Sequence, residues 1–324
     1  MPRIPVSSLR SVVDGAARAV GATLALGFVS LPSTGCGRAE VVDARSVLLV
    51  TFDTTRADRI GAYGFDGAHT PTLDRRLGLD QGFEVYRGPA GQGLGTVAMV
   101  RRPASDVVDD AIAWFESVAP TERYFVWLHL YDPHEVPEPP EPWRSRLSNR
   151  YDAAIAFADA ELGRLLDFLD DRHLSDGLLT VVTADHGESL GEHGEQSHGM
   201  FVYDAVMRVP LILSGSGLSA PARVERAVTT ASIAPTLLEL VGISSAAMPH
   251  ARTGSLLTRD TALAENVGEP LYIETHVPFY AHRWHALRGI VWRGHKLIVG
   301  RGVELYQLAD DAGEQDDRAA GDPE

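Results

Sequence analysis

The sequence has almost no cysteine and no long apolar run. One cysteine, Cys36, stands among 324 residues, which excludes an intramolecular disulfide framework and a metal cluster built on several thiolates. The apolar stretch at residues 20–31 is shorter than the roughly 20 apolar residues that a membrane-spanning helix needs. The remainder, with 44% hydrophobic and 23% charged residues, has the composition of a globular protein with a full core.

Basic residues are scarce relative to acidic ones. Lysine and arginine number 29 against 44 aspartates and glutamates, so the formal net charge is −15. A field of this sign repels nucleic acid and anionic membrane surfaces, and we expect no nucleic acid partner. An anionic substrate would therefore need a locally positive pocket.

The N-terminus has the pattern of an export segment over residues 1–36. Three arginines precede the apolar stretch, and small residues precede Cys36 in LPSTGC. This end resembles the lipobox of bacterial lipoproteins, although Ser33 stands where that motif prefers leucine. We expect lipidation at Cys36 and an exported protein, periplasmic or on the cell surface, attached to the membrane through that lipid. A plain signal peptide, or a disordered N-terminus with a chance cysteine, is the alternative.

Short apolar runs alternate with helical patterns along the chain. The runs SVLLVTF, YFVWLHL and LLTVVT each end in polar residues, and residues 152–169 between them show clear helical spacing. This alternation predicts an α/β fold with a doubly wound, mainly parallel sheet flanked by helices, over residues 44–245. The later runs LYIET, RGIVWR and HKLIVG predict a small C-terminal antiparallel subdomain with an acidic tail, over residues 246–324.

Residues able to bind a metal follow the apolar runs directly. Asp53, His134, Asp185 and His186 all stand where a strand is predicted to end, and the carboxyl ends of parallel strands meet at one edge of a sheet. Two aspartates and an imidazole suit Ca²⁺, Mn²⁺, Mg²⁺ or Zn²⁺. Each residue alone also has a simpler interpretation: Asp53 as a helix N-cap, residues 185–187 as a turn, and His134 as a loop histidine.

Seven motifs carry a resemblance to a known family. They run in order from about Ser46 to Glu314: VLLVTFDTTRADRIGAYG, TPTLD, LHLYDPHEVPEPP, TADHGESLGEHGEQSHG, YDAVMRVPLIL, ASIAPTLLELVGI and ELYQLADDAGE. Together they resemble the bacterial sulfatases of the alkaline phosphatase superfamily. The resemblance implies that Asp53, Asp185 and His186 hold one divalent cation, Ca²⁺ by family preference, with Mn²⁺, Mg²⁺ and Zn²⁺ as alternatives.

The resemblance also implies roles for the remaining histidines. His134 would contact the ester or donate a proton to the leaving group. His198 stands where many relatives have a lysine that binds the substrate's anionic oxygens. His193 matches no catalytic position, and we expect it to stabilise its loop. His129 alternates with Trp127 and Tyr131 along its strand, so we expect it to be packed rather than catalytic.

The family's nucleophile has no counterpart in this sequence. It is a formylglycine made from cysteine in a C-x-P-S-R motif, or a serine or threonine in its place, in a segment that follows the TPTLD motif. Here TPTLD and RRLGLDQGF are fused at Asp74 and Arg75, so we expect an internal deletion that impairs hydrolysis. Thr54 beside the metal aspartate and a metal-bound hydroxide are the alternative attackers.

The expected function is metal-dependent hydrolysis of a sulfate ester, weakened by the missing nucleophile. The substrate would be a small anionic ester or a sulfated saccharide. One alternative is a phosphonate or phosphate ester hydrolase of the same superfamily, which Thr54 and the Asp185-His186 pair favour. Another is a lipid-anchored protein that keeps metal-dependent binding without turnover, so whether the protein is an enzyme stays open.

Overall fold

The computed structural model describes residues 44–56, 84–85, 102–134, 138–218, 223–243, 248, 253–257 and 269–319. The predicted export segment with Cys36 and the fusion at Asp74 and Arg75 lie outside the described residues, so those predictions stay predictions. Residues Val41–Glu324 belong to one compact unit. None of the helices in the described ranges has the length and apolarity to cross a membrane.

The first sheet has four strands and is mainly parallel. The strands are β1 (Ser46–Phe52), β2 (Phe125–Leu130), β3 (Leu178–Ala184) and β4 (Leu211–Gly215), in the order β2-β1-β3-β4. The central strand β1 pairs in parallel with β2 and β3, while β4 is antiparallel to β3. Six of the seven residues of β1 are buried, as expected for an apolar run covered on both faces of a sheet.

Helices cover both faces of this sheet. The helices are α1 (Ala104–Phe115), α2 (Trp143–Arg146), α3 (Arg150–Asp171), α4 (Asp204–Met207) and α5 (Ile233–Leu240). Residues of α1 and α3 pack on one face of the sheet, and α5 packs on the other. Asn149 caps the start of α3, because its side chain accepts a hydrogen bond from Tyr151 N. The predicted doubly wound α/β architecture is therefore confirmed.

The C-terminal part forms a separate antiparallel sheet. Its strands are β5 (Leu271–Thr275), β6 (Leu287–Trp292), β7 (His295–Val299) and β8 (Val303–Gln307), in sequence order, with helix α6 (Val277–His282) after β5. Ile298 and Tyr306 on one face of this sheet pack against Val202. The predicted small antiparallel subdomain is thus present.

A buried lysine lies on the packed face of the second sheet. Lys296 is 0% exposed, and its Nζ lies 2.6 Å from Asp204 Oδ1 and 2.8 Å from Glu314 Oε1. The two acidic residues are also linked directly, because the backbone N–H of Asp204 donates to Glu314 Oε2. A buried ammonium cannot be hydrated, so it depends on these two anions. This triad joins β7, α4 and the acidic end of the chain.

We expect Lys296→Met to lower the free energy of unfolding by about 3–5 kcal/mol, because it leaves two carboxylates buried without their cation. Urea unfolding followed by circular dichroism measures the change. Leu297→Met on the exposed face of the same strand is the matched control, with an expected change below about 0.5 kcal/mol. Equal stability of the two variants would contradict this account of the triad.

A half-buried carboxylate after β2 holds the start of α1. Asp132 Oδ2 accepts a hydrogen bond from Ala104 N at 3.0 Å. Burial raises the pKa of Asp132 to about 7; the negative charges of Glu161 and Asp106 add to the rise and the Ala104 bond opposes it. The folded protein therefore binds a proton at Asp132 over a pH range in which the unfolded chain has lost it.

The wild-type protein should lose stability through Asp132 as the pH rises from about 4 to about 7. The reason is that the folded state keeps this proton longer than the unfolded state, whose pKa is near the ordinary 3.8. Asp132→Asn can still accept the Ala104 bond and cannot ionise, so its stability should fall less over this range. Urea unfolding of both proteins at several pH values checks this, and parallel curves would contradict it.

Candidate metal centre and ester site

The candidate centre lies where β1, β2 and β3 end. The register pairs Phe52 with both Leu130 and Ala184, so Asp53 and Asp185 follow neighbouring strands at the same level. Asp53 is 4% exposed. Its Oδ1 is buried and accepts no hydrogen bond from the part of the chain that the structure describes.

His186 completes the predicted set of cation ligands. Its Nε2 lies 3.8 Å from Asp53 Oδ1 and 3.9 Å from Asp185 Oδ2. Its Nδ1 donates to Gly187 O at 3.0 Å, which leaves the lone pair of Nε2 for a metal. Asp185 Oδ1 accepts hydrogen bonds from the backbone N–H groups of Thr54 and His186, so this carboxylate is also oriented by the backbone.

A second imidazole, which the sequence assigned to packing, lies at the same centre. His129 Nε2 is buried without a hydrogen bond to any described residue and lies 3.7 Å from Asp53 Oδ2. Ligand atoms of Asp53, His129 and Asp185 all lie within 4.8 Å of one another. The ring does contact Trp127, as a packing residue would, but the packing prediction missed the carboxylate that faces its other side.

The tautomer of His129 decides what it does. Its Nδ1 lies 2.6 Å from Thr51 Oγ1, and Thr51 Oγ1 also accepts from Trp127 Nε1. If Nδ1 donates to Thr51, Nε2 is free to bind a cation. If Thr51 donates instead, Nε2 carries the proton and orients Asp53 from behind.

The residues present fit one divalent cation with oxygen and nitrogen ligands. Burial raises the pKa of Asp53, as does the charge of Asp185, while His129 opposes the rise. A buried carboxylate with an unmatched oxygen is costly unless a positive charge compensates it. Two carboxylates and one or two imidazoles supply the hard and borderline donors that such a cation prefers, and leave coordination positions for a substrate.

The two histidines predicted to contact substrate lie beside the metal residues. The ring centroids of His134 and His198 are 5.1 Å apart, and those of His186 and His198 are 4.4 Å apart. Tyr131 stacks on His134 with centroids 4.6 Å apart, which fixes the plane of that ring. The structure therefore brings all five predicted site residues together.

Glu188 is a site residue that sequence reasoning missed. It is 4% exposed, and its Oε1 lies 3.2 Å from His198 Nδ1. The hydrogen bond and charge of Glu188 raise the pKa of His198, against the effect of burial. Glu188 therefore favours the charged imidazolium, which partly replaces the fixed charge of a lysine. The DHGE motif alone does not predict this role for Glu188, because its side chain approaches His198 only when the loop is folded.

Thr54 adopts a strained conformation between the metal residues. Its φ of 52° lies in the left-handed region, where a β-branched residue is an outlier. The side chain is fully buried, and Oγ1 has no hydrogen-bond partner within the described ranges. Its backbone N–H orients Asp185. No base contacts the hydroxyl there, so nothing in this geometry supports Thr54 as the attacker.

Two contacts fix the loop that carries His186 and His198. Arg56 Nη1 lies 2.5 Å from Glu192 Oε1, and although burial opposes it, this pair lowers the pKa of Glu192 to about 2. His193 stacks on Tyr203 with ring centroids 3.5 Å apart, and its Nε2 donates to Gly313 O. These contacts agree with the prediction that His193 stabilises its loop.

Comparison with known proteins gives a consistent result. Residues 100–243 match the model of the sulfatase family. Arylsulfatase K of Bos taurus is 31% identical over 186 residues, which are 54% of this chain and 33% of that protein. The chain spans about a third or less of the length of the curated relatives it matches.

Two solved structures share the fold. Phosphonate monoester hydrolase of Agrobacterium radiobacter matches with a TM-score of 0.61 and 17% identity, over 86% of this chain and 92% of that one. A protein solved in complex with its substrate D-glucosamine-2-N,6-O-disulfate matches with a TM-score of 0.54 and 17% identity, over 67% of this chain and 65% of that one. The family model, the curated relatives and the fold therefore agree that residues 100–243 form a region similar to the sulfatase family.

Proposed function

We propose that this chain forms a metal-dependent site for sulfate esters at which hydrolysis is slow. The observation that carries the proposal is the convergence of Asp53, Asp185 and His186, because His186 Nε2 lies 3.8 Å from Asp53 Oδ1 and 3.9 Å from Asp185 Oδ2. His134 and His198 lie next to this group and supply donors for substrate oxygens. Similarity to the sulfatase family supports the reaction class, displacement at sulfur.

The site residues divide into those that hold a cation and those that handle the ester. Asp53, Asp185 and His186 would hold the cation, with His129 orienting Asp53. When bound, a divalent cation here neutralises charge on the ester oxygens and polarises them. His198, whose charged form Glu188 favours by raising its pKa, would bind a sulfate oxygen as a hydrogen-bond donor.

His134 would protonate the leaving group. Attack at sulfur breaks the bond to the leaving oxygen, which then needs a proton. The His134 ring is stacked on Tyr131 and lies beside His198, so it is fixed next to the position of the ester. Hydrolysis is expected to be slow because the site does not activate Thr54 as a nucleophile: its hydroxyl is buried and contacts no base among the described residues.

A second candidate function is hydrolysis of a phosphonate or phosphate ester. Thr54 beside Asp53 and the Asp185-His186 pair favour it, and a neighbouring structure is named a phosphonate monoester hydrolase. A third candidate is metal-dependent binding of an anionic ester without turnover, in a protein anchored by a lipid at Cys36. The same histidines would serve all three functions, so the choice depends on measured turnover.

Asp185→Ala should weaken the binding of Ca²⁺ or Mn²⁺ at least about tenfold, because it removes a carboxylate that the backbone already orients. Isothermal titration calorimetry of chelator-treated protein measures the affinity. Asp170→Asn, at an exposed carboxylate on α3, is the matched control and should bind like the wild type. Unchanged binding in Asp185→Ala would contradict the proposed centre.

The same titration distinguishes the roles of His186 and His129 in metal binding. We expect His186→Gln to weaken metal binding at least about tenfold and His129→Gln to weaken it less, because His129 orients Asp53 rather than binding the metal. His295→Gln, at an exposed histidine of β7, controls for loss of an imidazole elsewhere. A larger effect of His129→Gln would assign the ligand to His129 instead.

The metal-loaded protein should hydrolyse 4-nitrophenyl sulfate faster than an aryl phosphonate. Its rate on the sulfate should be at least about tenfold above that of Asp185→Ala, because the Asp185 carboxylate holds the cation that stabilises the developing charge. Release of nitrophenolate measures both rates. A faster phosphonate reaction would support the second candidate. Metal-dependent binding of the sulfate ester without release would support the third.

A further inference from the structure

The C-terminal sheet carries positive charge in an acidic chain. Residues 271–301 contain five lysines and arginines and one acidic residue, Glu274, whereas the whole chain has a formal charge of −15. Lys296 is neutralised in its buried triad. The other four basic residues are exposed: Arg283, Arg288, Arg293 and Arg301. Exposed positive charge therefore exceeds negative charge over residues 271–301, which favours an anionic ligand in this part of the chain.

Helix α6 and the residues after it expose several aromatic rings within this region. Tyr280 is 72% exposed, Trp284 59% and Phe279 44%. The Arg283 guanidinium lies 5.6 Å above the centre of the Phe279 ring, and the His282 ring lies 4.8 Å from that of Trp284. We call residues 277–284 the α6 surface. Large rings left in water next to cationic groups are typical of a binding surface.

The α6 surface begins beside the candidate ester site. Thr275 Oγ1 donates to Gly199 O at 2.5 Å, and Gly199 directly follows His198. A Cβ atom at Gly199 would lie 3.4 Å from Val277 Cγ2, and the φ of 96° at Gly199 favours glycine. The six residues of α6 extend about 9 Å from this contact. The surface therefore continues outward from the residue next to the predicted sulfate contact.

We propose that the α6 surface binds the part of a sulfated oligosaccharide that lies beyond the reacting sulfate. The aromatic faces would stack on sugar rings, and Arg283 and the nearby histidines would bind further sulfate groups. This inference rests on the proposed function for the chemistry of the reacting group. A small aryl ester would not reach this far from the metal, so the surface favours an extended saccharide substrate.

The turn after β6 offers a matched control. Arg293 lies 4.4 Å above the Trp292 ring, and like Arg283 it has a left-handed φ, 48° against 59°, so glycine fits the backbone at both positions. Leu287 pairs with Thr275 at the end of β6 near Gly199. Trp292 is five residues further along that strand, about 16 Å away. Each pair joins an exposed arginine to a neighbouring exposed tryptophan; the pairs differ in distance from the site and in the ring that the arginine covers, Phe279 for Arg283 and Trp292 for Arg293.

The experiment measures binding of a heparin-derived hexasaccharide by isothermal titration calorimetry, at about 0.15 M salt to screen diffuse attraction. The double variant Arg283→Gly/Trp284→Ala should bind at least about tenfold more weakly than the wild type, because it loses a stacking face and a charge. Arg293→Gly/Trp292→Ala should change binding less than about twofold. Both pairs are exposed, and thermal unfolding verifies that the variants are folded.

Several outcomes would overturn the proposal. Equal loss in the two double variants would mean diffuse attraction of a polyanion. Unchanged binding in the Arg283→Gly/Trp284→Ala variant would mean that the surface does not bind saccharide. A wild-type dimer in sedimentation that this variant abolishes would mean that a second copy covers the surface. This experiment also distinguishes failure of the inference from failure of the proposed function. Hexasaccharide binding is measured without turnover, so a difference between the wild type and Arg283→Gly/Trp284→Ala can be observed even if the protein hydrolyses no ester.

Discussion

The candidate site depends on the parallel pairing of β1 with strands on both of its sides. The register brings Phe52 level with Leu130 and Ala184, so the residues that follow emerge together at one edge of the sheet. A slip of one residue in β1 would turn its buried side chains to the opposite face. The apolar packing on both faces of β1 therefore fixes the position of Asp53 as firmly as it fixes the core.

Much of the fold and part of the site could be predicted from the sequence. Continuous apolar runs and helical spacing are local signals, and the ends of those runs identified Asp53 and Asp185. His129 was missed because alternation along a strand is the same whether the ring faces a hydrophobic neighbour or a carboxylate. Glu188 and Lys296 were missed because their partners are brought to them only by folding.

The excess of basic residues on the second sheet could also not be predicted from the net charge of the chain. A net value of −15 describes the far field of the molecule, while a bound sulfate responds to the groups within a Debye length. The basic residues of the second sheet are spread along the sequence with several residues between them, so no run of like charge drew attention. Antiparallel pairing of β5, β6 and β7 gathers them onto one small subdomain, next to the loop that carries His198.

The buried lysine makes the second sheet depend on the acidic segment that follows its last strand. Lys296 receives one of its two counter-ions from Glu314, close to the end of the described residues, and the neighbouring Gly313 carbonyl accepts from His193 in the site loop. A chain that lacked these two residues would have an ammonium ion in its interior with half its compensation, and a site loop with one anchor fewer. The acidic segment around Glu314, distant in sequence from the predicted metal and substrate residues, must therefore pack against β7 and the site loop before the second sheet and that loop are both stabilised.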